Sequence, residues 1–369
     1  MVLIFDGNYL FYKSLFVFSS YGSKGKLLED KKDQAMFMRK IATDLAYAIR
    51  QFGNPDQIVF TVDSRSWRKD IAIQEGSYKG DRTKDESKVN WDNFYKCMND
   101  FTELLSTKGF IISKQEKAEG DDLMALWSMA LNENKMDAVI VTGDRDLTQS
   151  INLTDSGNFT VVYNPNTKTR KIVTPKGFDK WLNAENVDIF NADSYMNRGK
   201  DLIQDALNSI GIEEIDPFYT VFEKIITGDA GDSVPPVFTW EKDKKTYRIT
   251  PVKCLRMWEI LNAVTPITDI MELPSRAAEI CSAISAITKH NPPTDLIKHN
   301  LERNTQLVFL DHRIIPESIQ SEFNEKFSEM LKLKKLPSKI YDMHNILEGT
   351  NYISETKTFE ADIFKAYGK

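Results

Sequence analysis

The chain has 369 residues, 41% of them hydrophobic and 28% charged, with a formal net charge of −6. That length suits two domains, or one domain with a large elaboration, and the composition is that of a soluble globular protein. Taken plainly, the negative charge counts against a polyanionic partner, unless many of the acids are gathered in one place and offset there by bound cations.

Val2-Leu3-Ile4-Phe5 is a buried-strand signal, followed directly by Asp6-Gly7-Asn8. Residues 33–52 have helical periodicity and stop at Gly53-Asn54-Pro55. Residues 57–62 are the next strand, with Asp63 at its end. Residues 64–90 are charged and poor in apolar side chains, with Ser64-Arg65-Ser66-Trp67-Arg68-Lys69 at the start and Tyr78-Lys79-Gly80-Asp81-Arg82 near the middle. The plain reading is a solvated loop. The functional reading is a cover that offers Lys and Arg to phosphates and aromatics to bases.

A helix over 91–108 and a strand over 110–113 lead to Glu119-Gly120-Asp121-Asp122, the acidic start of a helix with an apolar face. Ala138-Val139-Ile140-Val141 is a buried strand ending in Thr142-Gly143-Asp144-Arg145-Asp146. Residues 159–163 and 171–173 read as an edge hairpin around an Asn-Pro-Asn turn, and Pro175 opens a short helix to Leu182. Strands and helices alternate to this point, which predicts an α/β fold with a mainly parallel central sheet and flanking helices.

After about residue 190 prolines become frequent and strand signals almost vanish. A helix over 217–227 is interrupted by Gly228-Asp229-Ala230-Gly231-Asp232. Residues 237–240 and 246–249 flank Glu241-Lys242-Asp243-Lys244-Lys245, a two-stranded ribbon with a basic tip. Thr250-Pro251 then starts a helix, and the remainder to about 345 is helical. The tail from Tyr352 carries Phe359, Ile363, Phe364 and Tyr367, and is expected to pack on its own domain rather than in a partner's groove.

Asp6, Asp63 and Asp144 therefore occupy equivalent places, each ending an apolar strand. One such aspartate is often only a cap or a turn residue. Three of them, with the acidic helix start, predict convergence on the carboxyl edge of the sheet, where open α/β sheets bind ligands. Carboxylates so crowded need a positive charge between them. A hard divalent cation with oxygen ligands meets that need, and magnesium suits a set without His or Cys.

The histidines (His290, His299, His312, His344) all lie late in the chain, so histidine acid–base chemistry has no candidate at that edge. Cys97, Cys254 and Cys281 show neither a CxxC pair nor zinc spacing, which predicts free buried thiols in a reducing cytosol. No apolar run is long enough for a bilayer and no secretory signal is visible, so a membrane is not an expected partner. The strand signal directly after Met1 leads us to expect the mature chain to begin there.

Taken in order, Asp6, Asp63, Glu119-Gly120-Asp121-Asp122, Asp144-Arg145-Asp146 and Gly228-Asp229-Ala230-Gly231-Asp232 resemble the motifs of the flap-endonuclease, or 5′-nuclease, family, whose nuclease domain is PIN-like. Tyr78-Lys79-Gly80-Asp81-Arg82 is similar to that family's Tyr-Lys-x-x-Arg segment in the arch, or gateway, over the active site. Within the family the C-terminal half is most similar to bacteriophage ribonuclease H, through Asn300-Leu301, Leu310-Asp311 and Leu336-Pro337. The resemblance implies a nuclease domain over 1–190 with the arch at 64–90, a helical duplex-binding domain over 191–345 and a tail over 346–369.

It further implies two Mg2+ ions, for which Mn2+ could substitute. Asp6, Asp63, Glu119, Asp121 and Asp144 would surround the tighter ion or its waters. Asp146, Asp229 and Asp232 would serve the second, with Asp122 bridging or just behind. Lys79 and Arg82 would neutralise the scissile phosphate, beside Tyr78. The implied activity is 5′ to 3′ exonuclease and flap endonuclease cleavage, with ribonuclease H removal of RNA primers during DNA replication. The expected partners are DNA and RNA/DNA hybrid duplexes with 5′ ends or flaps, a single-strand-binding protein and a sliding clamp. A cytoplasmic monomer is expected, in the host cytoplasm if phage-encoded.

The sequence departs from the family twice. Gly120 stands where alanine is usual, and Val234-Pro235-Pro236 with the ribbon replaces a Gly-x-Gly-x-Lys hairpin that holds a monovalent cation. Duplex contact through Lys242, Lys244, Lys245 and Arg248 is the resulting expectation. Two other readings fit part of the pattern. A haloacid-dehalogenase-type phosphatase would need an acid where Asn8 stands, and a non-catalytic nucleic-acid-binding module would be expected to have lost several of the acids.

Overall fold

The computed structural model describes residues 1–19, 26–52, 55–72, 78, 79, 85, 87–166, 171–178, 180, 211–333 and 342–352. Its centre is a sheet in the order β3-β2-β1-β4-β6-β7-β8, with β5 (Asn152–Leu153) paired outside that path to β6. Strand β1 (Val2–Asp6) lies between β2 (Gln57–Thr61) and β4 (Ala138–Val141), parallel to both, and β3 (Ile111–Ser113) is parallel to β2. The chain steps outward from β1 to β2 and β3, then returns to the other side of β1 with β4. That reversal leaves a crevice at the carboxyl ends of β1 and β4.

All five residues of β1 are buried because both faces of the sheet are covered. Leu3 and Phe5 face the core shared with α1 (Gly7–Ser19), α2 (Lys31–Gln51) and α4 (Trp91–Thr107). Val2 and Ile4 face the core beneath α5 (Gly120–Glu133). Helix α3 (Arg68–Ala72) forms inside the segment expected to be a loop, next to residues 73–77, which lie outside the described set.

The hairpin of β6 (Phe159–Asn164) and β7 (Lys171–Pro175) is antiparallel as expected, but it is not the edge of the sheet. Strand β8 (Gly211–Ile215) pairs parallel to β7 outside it. Its sequence, Gly-Ile-Glu-Glu-Ile, hides the strand signal because it has two apolar side chains around adjacent acids, and Ile212 is 50% exposed. Charge on an edge strand opposes pairing with other chains. The helix expected from Pro175 and the boundary near 190 fall largely or wholly outside the described residues.

A third core joins α6 (Pro217–Thr227), α7 (Pro251–Val264), α8 (Ala277–Thr288) and α9 (Thr294–Val308). The ribbon forms as β9 (Thr239–Lys242) and β10 (Lys245–Arg248), antiparallel, with Asp243 and Lys244 both at positive φ. This is the two-residue turn whose twist matches a hairpin, reached here without glycine.

The last helices return to the central sheet. Helix α10 (Glu317–Met330) sets Phe323 and Phe327 against Trp127 of α5, with ring centroids 5.1 and 5.6 Å apart. Helix α11 (Met343–Leu347) buries Ile346 and Leu347 in the core under α2 and α4. Of the tail, Tyr352 packs at the edge of that core, and the residues beyond it lie outside the described set. The three cysteines are free and buried.

Because Phe323 and Trp127 form one aromatic contact between α10 and α5, Phe323→Ala is expected to cost about 3–5 kcal/mol. Equilibrium denaturation measures this, and a cost under about 1 kcal/mol would mean α10 is not docked.

Candidate metal-dependent active site

Register aligns the carboxyl ends of the central strands: Phe5 lies opposite Phe60 on one side and Val141 on the other. Asp6 is the last residue of β1, Asp63 follows β2, and Asp144 follows β4. Glu119 is the N-cap of α5, Asp121 lies in its first turn, and Asp146 opens a short 3-10 helix. Asp229 and Asp232 come from the loop after α6. These eight carboxylates, from five chain segments, line one pocket of about 510 Å3.

Asp6, Asp63, Asp144 and Asp229 are each aimed by hydrogen bonds of their own. Asp6 accepts from the Tyr9 amide at 2.8 Å and from the Thr142 hydroxyl at 2.7 Å. Asp63 accepts from the Gly120 amide at 2.6 Å and from the Asn8 side chain. A Cβ at position 120 would lie 2.8 Å from that Asp63 oxygen, so an alanine here requires the carboxylate to shift. Asp144 accepts from the Asp146 amide at 2.9 Å, and Asp229 accepts from the Gly231 amide at 2.8 Å. Gly228, with φ of +73°, turns the chain where a Cβ would meet the Val234 carbonyl at 2.5 Å.

The electrostatics show what this crowding costs. Burial pushes Asp6 up to about 7, with the charges of Asp63 and Asp144 adding to the shift. Asp121 is held well above the ordinary carboxylate range by burial and then by Asp144. Asp146 is raised to about 6 by burial and then by Asp144, against the pull of Lys224. Glu119 goes the other way. Burial alone would raise it, but Lys79 and Arg68 hold it below its usual value.

Lys79, whose backbone has φ of +54°, bonds through its amide to the Asp232 carbonyl at 3.1 Å. Its ammonium reaches Glu119 and lies 3.6 Å from Asp232. The buried Tyr78 hydroxyl donates to Glu119 at 3.2 Å and lies 3.5 Å from Asp232. Arg82 lies outside the described residues.

Asp122 is the exception among the expected metal residues. It does not line the pocket; it is fully buried on the far side of the α5 start. Arg68 pairs with it at 2.7 Å, Trp67 donates to it at 3.0 Å, and it reaches back to the Glu119 amide at 3.2 Å. Consecutive residues on a helix point about 100° apart, so Asp121 and Asp122 cannot both face the same cavity. The basic ribbon residues Lys242, Lys244, Lys245 and Arg248 are exposed and also lie off the acid pocket.

Three participants were not singled out by the sequence reading. Arg68, 1% exposed, joins Glu119 to Asp122 and touches the Phe309 carbonyl of the helical half. Ser66 donates to Glu119 at 2.8 Å. Lys224, on α6, pairs with Asp146 and with Asp229, the latter at 2.7 Å. Arg68 and Ser66 sat in a segment whose charge reads as solvated. Lys224, five residues before Asp229, carries no local signal.

The donor set fits hard divalent cations. Among the described residues, eight carboxylates meet only Lys79, Arg145 and Lys224 in the pocket wall. One oxygen from each of Asp146, Asp229 and Asp232 lies within 4.8 Å of the others. The donors are carboxylate oxygens, with neither His nor Cys in the wall, which suits a hard divalent cation. Asn8 bonds Asp63 from both its side-chain atoms and so holds a carboxylate rather than acting as an acid, which removes the phosphatase reading.

Residues 1–182 match the family of 5′-3′ exonuclease, N-terminal resolvase-like domains. That match spans 182 of the 369 residues, just under half of the chain, and covers the strand ends that carry Asp6, Asp63 and Asp144. Among solved structures, the bacteriophage T5 D15 protein co-crystallised with metal ions is similar over 90% of this chain and 99% of its own, with 16% identity and a TM-score of 0.53. A complex of the T5 D15 flap endonuclease with DNA and metal ions covers the same shares, with 18% identity and a TM-score of 0.51. T5 5′-exonuclease with bound zinc gives 19% identity and a TM-score of 0.51. At those identities the likeness is one of fold, extending through the helical half. No curated protein sequence matches the chain.

A carboxyl raised in the folded state makes that state lose stability as pH rises. For Asp6 the loss begins above the unfolded value of 3.8 and is complete above about 7. The metal-free protein is therefore expected to melt at a lower temperature at pH 8 than at pH 5. Added Mg2+ should raise the melting temperature more at pH 8 than at pH 5. Thermal melts at both pH values check this, and equal Mg2+ shifts would contradict the assignment.

Proposed function

We propose that this protein is a metal-dependent 5′-nuclease that hydrolyses phosphodiester bonds as a 5′ to 3′ exonuclease and flap endonuclease. The observation that carries the reading is the convergence of eight carboxylates from five segments on one pocket with three cations in its wall. The family of the N-terminal half supports the reading, as does the fold shared with the T5 D15 enzyme.

Two divalent ions, Mg2+ or in its place Mn2+, held by these carboxylates would supply an activated water and stabilise the leaving oxyanion. The protein's own part is positioning and charge. Asp6, Asp63 and Asp144 present oxygens fixed by backbone amides, the Thr142 hydroxyl and the Asn8 side chain, and Asp121 adds its carboxylate from the first turn of α5. Glu119 keeps its charge through Lys79 and Arg68, and so holds those two cations in place. Lys79 can exchange its carboxylate partners for the scissile phosphate and offset its charge. Arg82 is assigned the same task by its place in the Tyr-Lys-x-x-Arg segment.

The substrates proposed are DNA and RNA/DNA hybrid duplexes with 5′ ends or flaps. Ribonuclease H activity, and with it removal of RNA primers during replication, rests on the resemblance to phage members of the family. A single-strand-binding protein and a sliding clamp are proposed from that function alone, and cytoplasmic action from the free cysteines. The exposed Lys242, Lys244, Lys245 and Arg248 on the ribbon support duplex contact through the backbone. A nucleic-acid-binding module without catalysis is disfavoured because only Asp122, among the expected acids, lies outside the pocket.

A 5′-labelled flap substrate with and without Mg2+ tests the activity, and an RNA-primed substrate beside an all-DNA one tests the ribonuclease H assignment. Asp144→Asn and Asp121→Asn are each expected to slow cleavage at least about a hundredfold with duplex binding largely intact. Wild-type turnover by either variant would refute the site. Lys79→Ala is expected to slow single-turnover cleavage about a hundredfold while changing binding only a few-fold. A loss confined to binding would remove Lys79 from the chemistry.

A further inference from the structure

The acids of the pocket are not equally served by cations. Lys79 takes Glu119 and Asp232, and Lys224 takes Asp146 and Asp229. Among the described residues, Asp6, Asp63, Asp121 and Asp144 form no ion pair with a Lys or Arg. The first metal therefore meets carboxyl groups there that no ammonium already occupies. The Asp146, Asp229 and Asp232 group already holds a charge.

We propose that Lys224 is a tethered counter-ion that occupies the Asp146–Asp229–Asp232 group in the metal-free protein and must leave it before a divalent ion binds there. The inference rests on the metal-dependent reading above and adds an order to it. An ammonium and a metal ion compete for the same oxygens and repel each other at contact distance. The group thus binds metal second and more weakly than the Asp6–Asp63–Asp121–Asp144 group. Lys224 stands on α6, while its partners come from the loop after β4 and from the loop after α6, so its release unlinks the sheet from the helical half at this point. A displaced ammonium needs a new anion, and a backbone phosphate of the substrate is the one the proposed reaction brings. Nucleic acid and the second ion should then bind cooperatively. The acids themselves do not depend on Lys224 for position, because Asp229 is also held by the Gly231 amide and Asp146 by its own amide on Asp144.

The test titrates Mn2+ alone into the metal-free full chain, counting free ion by electron paramagnetic resonance and following the melting temperature. Wild type is expected to bind one ion tightly and a second at least about tenfold more weakly. Lys224→Met should tighten the second site about tenfold, whereas Lys224→Arg, which keeps the charge, should leave it within a few-fold of wild type. An unchanged second site in Lys224→Met, or an equal gain in both variants, overturns the proposal. A second measurement uses the wild-type fold: the 15N-lysine ammonium signal of Lys224, assigned by its loss in Lys224→Arg, should move with the second equivalent of Mg2+ and not the first. A signal that moves with the first, or with neither, also overturns it. Absence of any Mn2+ binding by wild type would instead sink the metal-dependent reading itself.

Discussion

Mutual repulsion between carboxylates is the constraint on which the rest of this structure depends. Parallel strands end at one edge, and here β1, β2 and β4 deliver Asp6, Asp63 and Asp144 there, while the start of α5 adds Glu119 and Asp121. The sheet's buried residues, from Leu3 and Phe5 on one face to Val2 and Ile4 on the other, hold those ends in register whatever the acids would prefer. Hydrophobic burial is large and indifferent to the charges at its rim, so it can sustain an arrangement that electrostatics alone would break apart. The raised carboxyls of Asp6, Asp121 and Asp146 are the visible cost.

The protein limits that cost in two ways. Behind the pocket, Arg68 is buried against Glu119 and Asp122, with the Trp67 ring 4.6 Å from its guanidinium. Breaking such a buried pair would leave an uncompensated charge, so the cluster behaves as one rigid piece. It ties α3, the start of α5 and the Phe309 carbonyl together, and so fixes the root of the 64–90 segment against both halves of the chain. Within the pocket, Lys79 and Lys224 pair with acids through ammonium groups that, in the proposed reaction, a phosphate would draw away. Fixed charge behind and exchangeable charge in front separate the holding of the acids from the handling of a substrate.

The helical half is not a separate body hung from the central sheet. Gln149 accepts from the Leu310 amide and donates to the Val308 carbonyl, bridging the 3-10 helix after Asp146 to the end of α9. Helix α10 lies on α5 through Trp127, and the Asp229–Asp232 loop completes the acid pocket. Duplex binding on the helical side and chemistry on the sheet side would therefore share a stiff frame, with the exposed ribbon projecting from it.

Much of this was legible in the residues themselves. Apolar runs that end in aspartate, an acidic helix start and alternating element types specify a parallel sheet with acids at its carboxyl edge, because strand period and capping chemistry are local properties. Less local features were not legible. Strand β8 is stabilised by pairing with β7 rather than by its own pattern, so Gly-Ile-Glu-Glu-Ile gave no warning. Asp121 and Asp122 look alike in sequence, and only the facing of the helix against Arg68 assigns one to the pocket and the other to the interior. Arg68 lies in a charged run that reads as solvated, and Lys224 carries no local signal. Their roles arise from partners 51 residues away for Arg68 with Glu119 and 78 away for Lys224 with Asp146, which only the packed chain brings within reach. The sequence by itself determined which acids exist and on which strand ends they sit. The tertiary structure decided which cation each acid meets, because ion pairing depends on distance in space and not along the chain.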